Sequence, residues 1–168
     1  RGEYAEARSV IHPMLKRAES EGSTRQAGTL VNNYGYEYLL EGRPADAEPY
    51  FEEAVERFTR INDGFEIANA RANILTCRFA LLAPHLWTHL VPDLANTHRT
   101  LHRSGDWRTR KTLRLLAELT AERGRLAAAK QWARRAVAPG AEVGSVAVCY
   151  AETPSEIRSL PRSEEPTP

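Results

Sequence analysis

A pattern of small residues recurs along the 168-residue chain and restricts the folds that it can form. Three segments carry a glycine followed five residues later by an alanine: Gly2 and Ala7, Gly42 and Ala47, and Gly124 and Ala129. The glycines are 40 and 82 residues apart, which is one and about two periods near 41. Internal repetition at this spacing predicts stacked units that bury one continuous core. Small residues suit the points where two antiparallel helices cross closely, so each unit is predicted to be a helical hairpin. In one hairpin, Gly35 and Ala47 are predicted to meet where the two helices cross.

Apolar residues recur at three- and four-residue steps along most of the chain, which predicts helices. The first predicted helix runs from Tyr4 to Glu21, and its periodic residues are Ala7, Val10, Ile11, Met14 and Leu15. Further helices are predicted at about 25–40, 44–60, 65–82, 85–103 with an interruption at Pro92, 109–122 and 126–137. Gly42 and Pro44 match the residue preferences after a helix end and at a helix start. No alternation of strands and helices is present, so the body is predicted to be all-α.

The chain divides into a helical repeat domain and a C-terminal extension. The repeat domain is predicted at residues 1–138, with a partial unit at about 1–22 and full units at about 25–61, 65–104 and 109–138. Residues 139–168 differ in composition: "VGSVAVCYAE" favours a short strand, and "TPSEIRSLPRSEEPTP" is typical of a disordered tail. The chain begins at Arg1 and not at methionine, so we expect it to be a piece of a longer protein.

The segment from Gly28 to Ile61 resembles a tetratricopeptide repeat (TPR). Its matches to the family pattern are Gly35, Tyr38, Gly42, Ala47, Phe51 and Ala54. The early tryptophan of the family is replaced by Val31 and its closing proline by Thr59. The last unit matches at Leu116, Ala117, Gly124, Ala129 and Ala136, whereas Thr120 and Ala133 replace aromatic residues. The resemblance implies an α-solenoid of antiparallel hairpins, and the longer period is similar to TPR-like arrays of bacterial transcription regulators and signalling NTPases.

Composition and charge narrow the classes of partner. The formal net charge of +1 gives no broad electrostatic reason to expect nucleic acid or an anionic membrane as a partner. No apolar run approaches the roughly 20 residues that span a bilayer, and no signal peptide is present. Cys77 and Cys149 are far apart and belong to no CxxC motif, which favours two free thiols in a reducing cytosol. We therefore predict a cytoplasmic protein.

Few residues form patterns that could carry catalysis. His85 and His89, like His98 and His102, have the i,i+4 spacing that can place two imidazoles on one helix face. On one continuous helix the two pairs would face different directions, and the HExxH motif is absent. Carboxylates such as Glu53 are better explained by i,i+4 pairing with arginines such as Arg57. The sequence has no nucleophile elbow and no phosphate-binding loop. We predict no enzymatic activity, no cofactor and no bound metal.

The resemblance implies a ligand groove lined by the first helix of each hairpin. The matching positions are Asn32, Tyr36, Asn69, Asn73, Thr76, Lys111, Arg114 and Glu118. The asparagine side chain can both donate hydrogen bonds to a peptide backbone and accept them from it. An equally weighted interpretation is that Asn33 and Asn73 join neighbouring helices. The family's arrangement for holding a terminal carboxylate requires more lysine and arginine in the groove, so that ligand is not predicted.

Three functional hypotheses follow from these observations. The first is a protein- or peptide-binding module that serves as the sensor or scaffold arm of a larger bacterial regulatory protein. The second is a homo-oligomerisation module, in which the apolar ends of the array pair with another copy. The third is a metal-dependent helical enzyme that uses His85 and His89, which the missing motifs make the least favoured of the three.

Overall fold

The computed structural model describes residues 2–103 and 108–137, which form seven α-helices and one 3-10 helix. The α-helices are α1 (Gly2–Ser20), α2 (Thr24–Leu40), α3 (Pro44–Arg60), α4 (Gly64–Leu81), α5 (Val91–Arg103), α6 (Thr109–Glu122) and α7 (Leu126–Val137). The 3-10 helix spans Pro84–Leu90. The described residues contain no strand, so the all-α prediction is confirmed for them. The predicted strand and tail at 139–168 lie outside this part of the chain.

Four of the turns between helices share one backbone geometry. The second residue after the last helical residue has a positive φ in each turn, namely Gly22, Gly42, Asn62 and Gly124. After α2, the N–H of Arg43 donates to the carbonyl of Tyr38 at 3.0 Å and the N–H of Gly42 donates to that of Leu39 at 3.1 Å. These two bonds satisfy carbonyl groups that the helix end leaves without partners. Asparagine also tolerates this left-handed conformation, so Asn62 replaces glycine after α3.

Each helix packs against the next along the chain, and alternate helices also meet. Contacts join α1 to α2, α2 to α3, α3 to α4, α4 to α5, α5 to α6 and α6 to α7. In addition, α4 contacts both α2 and α6. The helices α2, α4 and α6 therefore lie beside one another, and their shared surface is called the α2–α4–α6 face below.

The predicted close crossing of α2 and α3 at Gly35 is confirmed. A Cβ atom added to Gly35 would lie 2.9 Å from Cβ of Tyr50, 3.1 Å from the carbonyl oxygen of Ala47 and 3.1 Å from Cε1 of Phe51. Ala47 and Phe51 are completely buried. Only glycine fits this crossing without displacing a neighbour, because two of the three nearest atoms belong to the backbone or to the start of a side chain.

Helix α1 packs against α2 through only part of its periodic apolar set. Ile11 and Leu15 contact a cluster that contains Ala18 on α1, whereas Val10 and Met14 are 56% and 46% exposed. The expectation that all the periodic residues share one buried face is therefore wrong for Val10 and Met14. Their side of α1 has no neighbouring helix among the described residues, and periodicity alone does not reveal whether a neighbour is present.

The second half of the middle unit begins as a 3-10 helix. Trp87 anchors this helix, since its indole N–H donates to the carbonyl of Leu82 at 3.1 Å and its ring packs on Phe79. Pro92 lies in the first turn of α5, where its missing N–H removes no helical bond. The break predicted at Pro92 thus occurs at this junction. The surrounding core joins α4, α5 and α6 through Leu75, Leu94, Leu115 and Leu119.

Cys77 is completely buried on α4, and burial raises the pKa of its thiol to about 12. At pH 8 the reactive thiolate is then about 10⁻⁴ of the total. In a Cys149→Ser background, we expect Cys77 to resist iodoacetamide in the native protein and to react fully in denaturant. Mass spectrometry of the intact protein measures both states. Rapid labelling of the native protein would contradict the burial of Cys77.

Candidate functional site

Two asparagines, one repeat period apart, pair inside the α2–α4–α6 face. Nδ2 of Asn73 on α4 donates to Oδ1 of Asn32 on α2 at 2.9 Å, and these residues are 41 positions apart. Asn73 is 1% exposed and Asn32 is 8% exposed. Asn33 is exposed instead. The interpretation that asparagines join neighbouring helices is therefore correct for Asn73, but its partner is Asn32 and the choice of Asn33 was wrong.

Lys111 extends this pairing from α6. Its Nζ atom donates to Oδ1 of Asn73 at 2.7 Å and to Oδ1 of Asn69 at 3.1 Å, and the residue is 8% exposed. The same atom lies 5.7 Å from the ring centroid of Tyr36 on α2. A buried ammonium group requires such acceptors, because it has left the water that would otherwise solvate it. Lys111 therefore reaches across α4 and brings the three helices together.

The hydrogen bonds continue beyond the predicted residues. Nδ2 of Asn69 donates to Oε2 of Glu66 at 3.1 Å, and Nη1 of Arg108 donates to Oε1 of Glu66 at 3.1 Å. Glu66 and Arg108 were not predicted to belong to the site. Glu66 and Arg108 are 42 residues apart, which is close to the repeat period. This spacing was the feature of the sequence that could have indicated that they pair. We call the connected residues Asn32, Asn69, Asn73 and Lys111 the polar ladder.

The other predicted residues lie on the same helices as the ladder residues. Oγ1 of Thr76 donates to the carbonyl of Ala72 within α4 at 2.9 Å. On α6, Nε of Arg114 lies 3.5 Å from Oε1 of Glu118. These side chains and Tyr36 are half-buried, unlike the ladder residues. The structure thus brings Asn32, Tyr36, Asn69, Asn73 and Lys111 into one cluster, and it places Thr76, Arg114 and Glu118 beside them on α4 and α6.

The histidines are arranged differently from the predicted pairs. His85 and His89 are exposed on the 3-10 helix, where a four-residue step turns about 120° and separates their directions. The expectation that they share one face is therefore wrong. His98 and His102 stack with ring centroids 5.6 Å apart, and Nδ1 of His98 lies 2.9 Å from Oγ1 of Thr112. Within residues 2–103 and 108–137, no group of three or more His, Cys, Asp or Glu side chains could hold a metal ion.

The α2–α4–α6 face therefore contains asparagine carboxamides that are fixed by hydrogen bonds, the buried ammonium group of Lys111 and the half-buried ring of Tyr36. Such groups can bind a polar or extended ligand. The two buried carboxamides on α4 already have partners, so they fix the position of the helices before a ligand arrives. A nucleophile with an adjacent base, which covalent catalysis requires, is not among the groups of this face.

Compared with models of known families, with curated proteins and with solved structures, the chain gives no match. Among the helices of the described residues, none combines the length and the apolar character needed to cross a bilayer.

Proposed function

We propose that the chain is a TPR-like α-solenoid module that binds a protein or peptide on the α2–α4–α6 face. In this proposal it is the cytoplasmic sensor or scaffold arm of a larger bacterial regulatory protein and has no catalytic activity of its own. The observation that carries the proposal is the polar ladder. It joins side chains 38 to 42 residues apart, so equivalent helices of successive units stand side by side.

The ladder and its half-buried neighbours have different roles in this proposal. Asn73 and Lys111 are bonded to each other and to adjacent helices, so they hold the face in one conformation. Tyr36, Thr76 and Arg114 are half-buried and contact the ligand. A tyrosine provides a large, rigid contact that loses little rotamer freedom on binding, which suits an anchor residue.

Site-specific photo-crosslinking tests the location of binding. A photoreactive amino acid replaces Thr76 on the face or, as the matched control, the exposed Glu56 on α3. In a lysate of the organism that encodes the chain, we expect position 76 to crosslink to one dominant partner and position 56 not to do so. Arg114→Ala is expected to weaken that crosslink severalfold, because it removes a cation from the face. Crosslinking from position 56 alone would show that the partner binds at the surface of α3, and it would refute the proposal.

Homo-oligomerisation is the second candidate, and it is favoured by the exposed apolar side of α1. Val10 and Met14 are large hydrophobic residues one turn apart that are about half exposed. If this surface pairs with another copy, Met14→Glu shifts the chain to the monomer in sedimentation velocity measured across concentration. The same substitution leaves the crosslinks of position 76 unchanged, so the two functions are separable.

A further inference from the structure

A cleft of about 290 Å³ lies on α4 between α3 and α5, away from the polar ladder. Ile74 and Leu75 on α4 are buried and form its apolar floor, and Val55 on α3 forms part of one wall. Asn96 on α5 is exposed at the opposite wall. A concave site with an apolar base and a few polar groups at its rim is typical of ligand-binding pockets.

The two walls of the cleft run parallel to each other and antiparallel to α4. On the α3 side, Arg78 of α4 bonds to residues early in α3, whereas Ala70 packs with Phe58 near the end of α3. On the α5 side, Ala68 and Ala72 pack with Leu101 near the end of α5. The position of a residue along α4 therefore indicates which end of the cleft it faces, and the late residues of α4 lie opposite the early residues of both walls.

The end of the cleft near Arg78 is acidic. Nε of Arg78 lies 2.7 Å from Oε1 of Glu48, and its Nη2 lies 3.3 Å from Oε1 of Glu52. The hydrogen bond to Glu48 raises the pKa of Arg78, and the charges of Glu48, Glu52 and Asp93 contribute. Three carboxylates thus surround one guanidinium group, which leaves an excess of negative charge at this end.

The other end of the cleft is cationic. Arg71 lies two turns before Arg78 on the same side of α4, about 10 Å away along the helix axis. It is exposed, and it forms no ion pair with any residue that the structure describes. The cleft therefore has opposite charges at its two ends, separated by the apolar floor at Ile74.

We infer that this cleft binds an extended peptide segment that carries a basic side chain, a central apolar side chain and an acidic side chain at alternate positions. The basic residue lies at the acidic end beside Glu52 and Asp93. The acidic residue pairs with Arg71, and the apolar side chain rests on Ile74. This surface is independent of the α2–α4–α6 face, and the inference does not depend on the function proposed for that face.

The dimensions of an extended chain fit this arrangement. Residues i, i+2 and i+4 of a strand point to one face and span about 13 Å, at 3.3 Å per residue. That span is about 3 Å longer than the roughly 10 Å between the two charged ends. The flexible side chains of Arg71 and of the charged peptide residues can bend to make up this difference.

Three capped peptides of one length test the inference on the full chain. They have the patterns Lys-Ser-Leu-Ser-Glu, Lys-Ser-Leu-Ser-Lys and Glu-Ser-Leu-Ser-Glu between flanking serines. Each is titrated to about 1 mM, the range of weak short-peptide affinity, while amide chemical shifts are recorded by NMR. We expect saturable shifts at Arg71, Ile74 and Asn96 with the mixed-charge peptide. The two single-sign peptides are expected to bind about tenfold more weakly or not at all.

A charge reversal makes the test specific for the cleft. Arg71→Glu is expected to weaken the mixed-charge peptide about tenfold and to strengthen the Lys-Ser-Leu-Ser-Lys peptide by a similar factor. Arg99→Glu, an equal charge change at an exposed position of α5 outside the cleft, is expected to alter neither affinity. Circular dichroism verifies that both variants retain the helical fold. Absence of saturable binding, equal binding of all three peptides, or shifts confined to the α2–α4–α6 face would overturn the inference.

Discussion

Gly35→Leu is expected to lower the free energy of unfolding by about 3 kcal/mol or more and the thermal midpoint by about 10 °C. Even the first added carbon would stand 2.9 Å from Cβ of Tyr50 and 3.1 Å from the carbonyl oxygen of Ala47. Neither atom is the end of a flexible side chain, so α2 and α3 must move apart. That movement would also loosen the packing of the completely buried Phe51.

Thermal unfolding followed by circular dichroism measures this effect. Gly64→Leu is the matched control, because a Cβ atom at Gly64 would meet nothing within 4 Å. We expect its midpoint to change by no more than a few degrees. An equal loss in the two variants would show that the loss does not come from overpacking at the crossing, since leucine favours a helix more than glycine does. An unchanged midpoint for Gly35→Leu would refute the close crossing.

Asn73→Leu is expected to cost about 2 to 5 kcal/mol of unfolding free energy. Leucine has the same branched shape and number of side-chain heavy atoms as asparagine, but it removes the acceptor 2.7 Å from Nζ of Lys111 and the donor 2.9 Å from Oδ1 of Asn32. Both groups lie in the interior, where water cannot replace the lost bonds. The buried ammonium group of Lys111 accounts for the larger share, since a charge without sufficient acceptors is the costlier defect.

A double-mutant cycle separates the ladder from simple packing. Combining Asn73→Leu with Lys111→Met removes the buried charge together with one of its acceptors, so we expect the pair to cost less than the sum of the single changes by about 1 kcal/mol or more. Denaturant unfolding supplies the four free energies. Asn33→Leu is the control on exposed surface and should change stability by less than about 0.5 kcal/mol. Strict additivity would mean that Asn73 and Lys111 do not interact.

The helices and their boundaries could be predicted because their signals are local. Helices α6 and α7 begin and end at the predicted residues, and α2, α3 and α4 differ from the prediction by one residue at most. The glycine of the turn after α2 and the following proline mark boundaries through their own backbone preferences. Gly35 was also predictable, because a small residue between aromatic neighbours on a helix indicates a close approach.

The polar site was predicted only in part, since its contacts depend on how the helices stack. Asn33 and Asn32 are adjacent in sequence and about 100° apart around α2, so a one-residue error in alignment exchanges an exposed amide for a buried one. The bond between Glu66 and Arg108 was missed for a similar reason. A charged residue on a helix pattern usually faces solvent, and the neighbour that pairs with it lies 42 residues away.

By itself, the sequence determined that this chain is helical, where its helices lie and which glycine permits two of them to cross. Periodicity and capping act within one or two turns, so they need no knowledge of the neighbouring helices. Only the tertiary structure decided that Asn73 pairs with Asn32, that Lys111 reaches across α4, and that Met14 is about half exposed. Sequence periodicity indicates the direction in which a side chain points from its own helix axis. Whether that side chain is buried, and which residue it bonds to, depends on the neighbouring helix that packs against it.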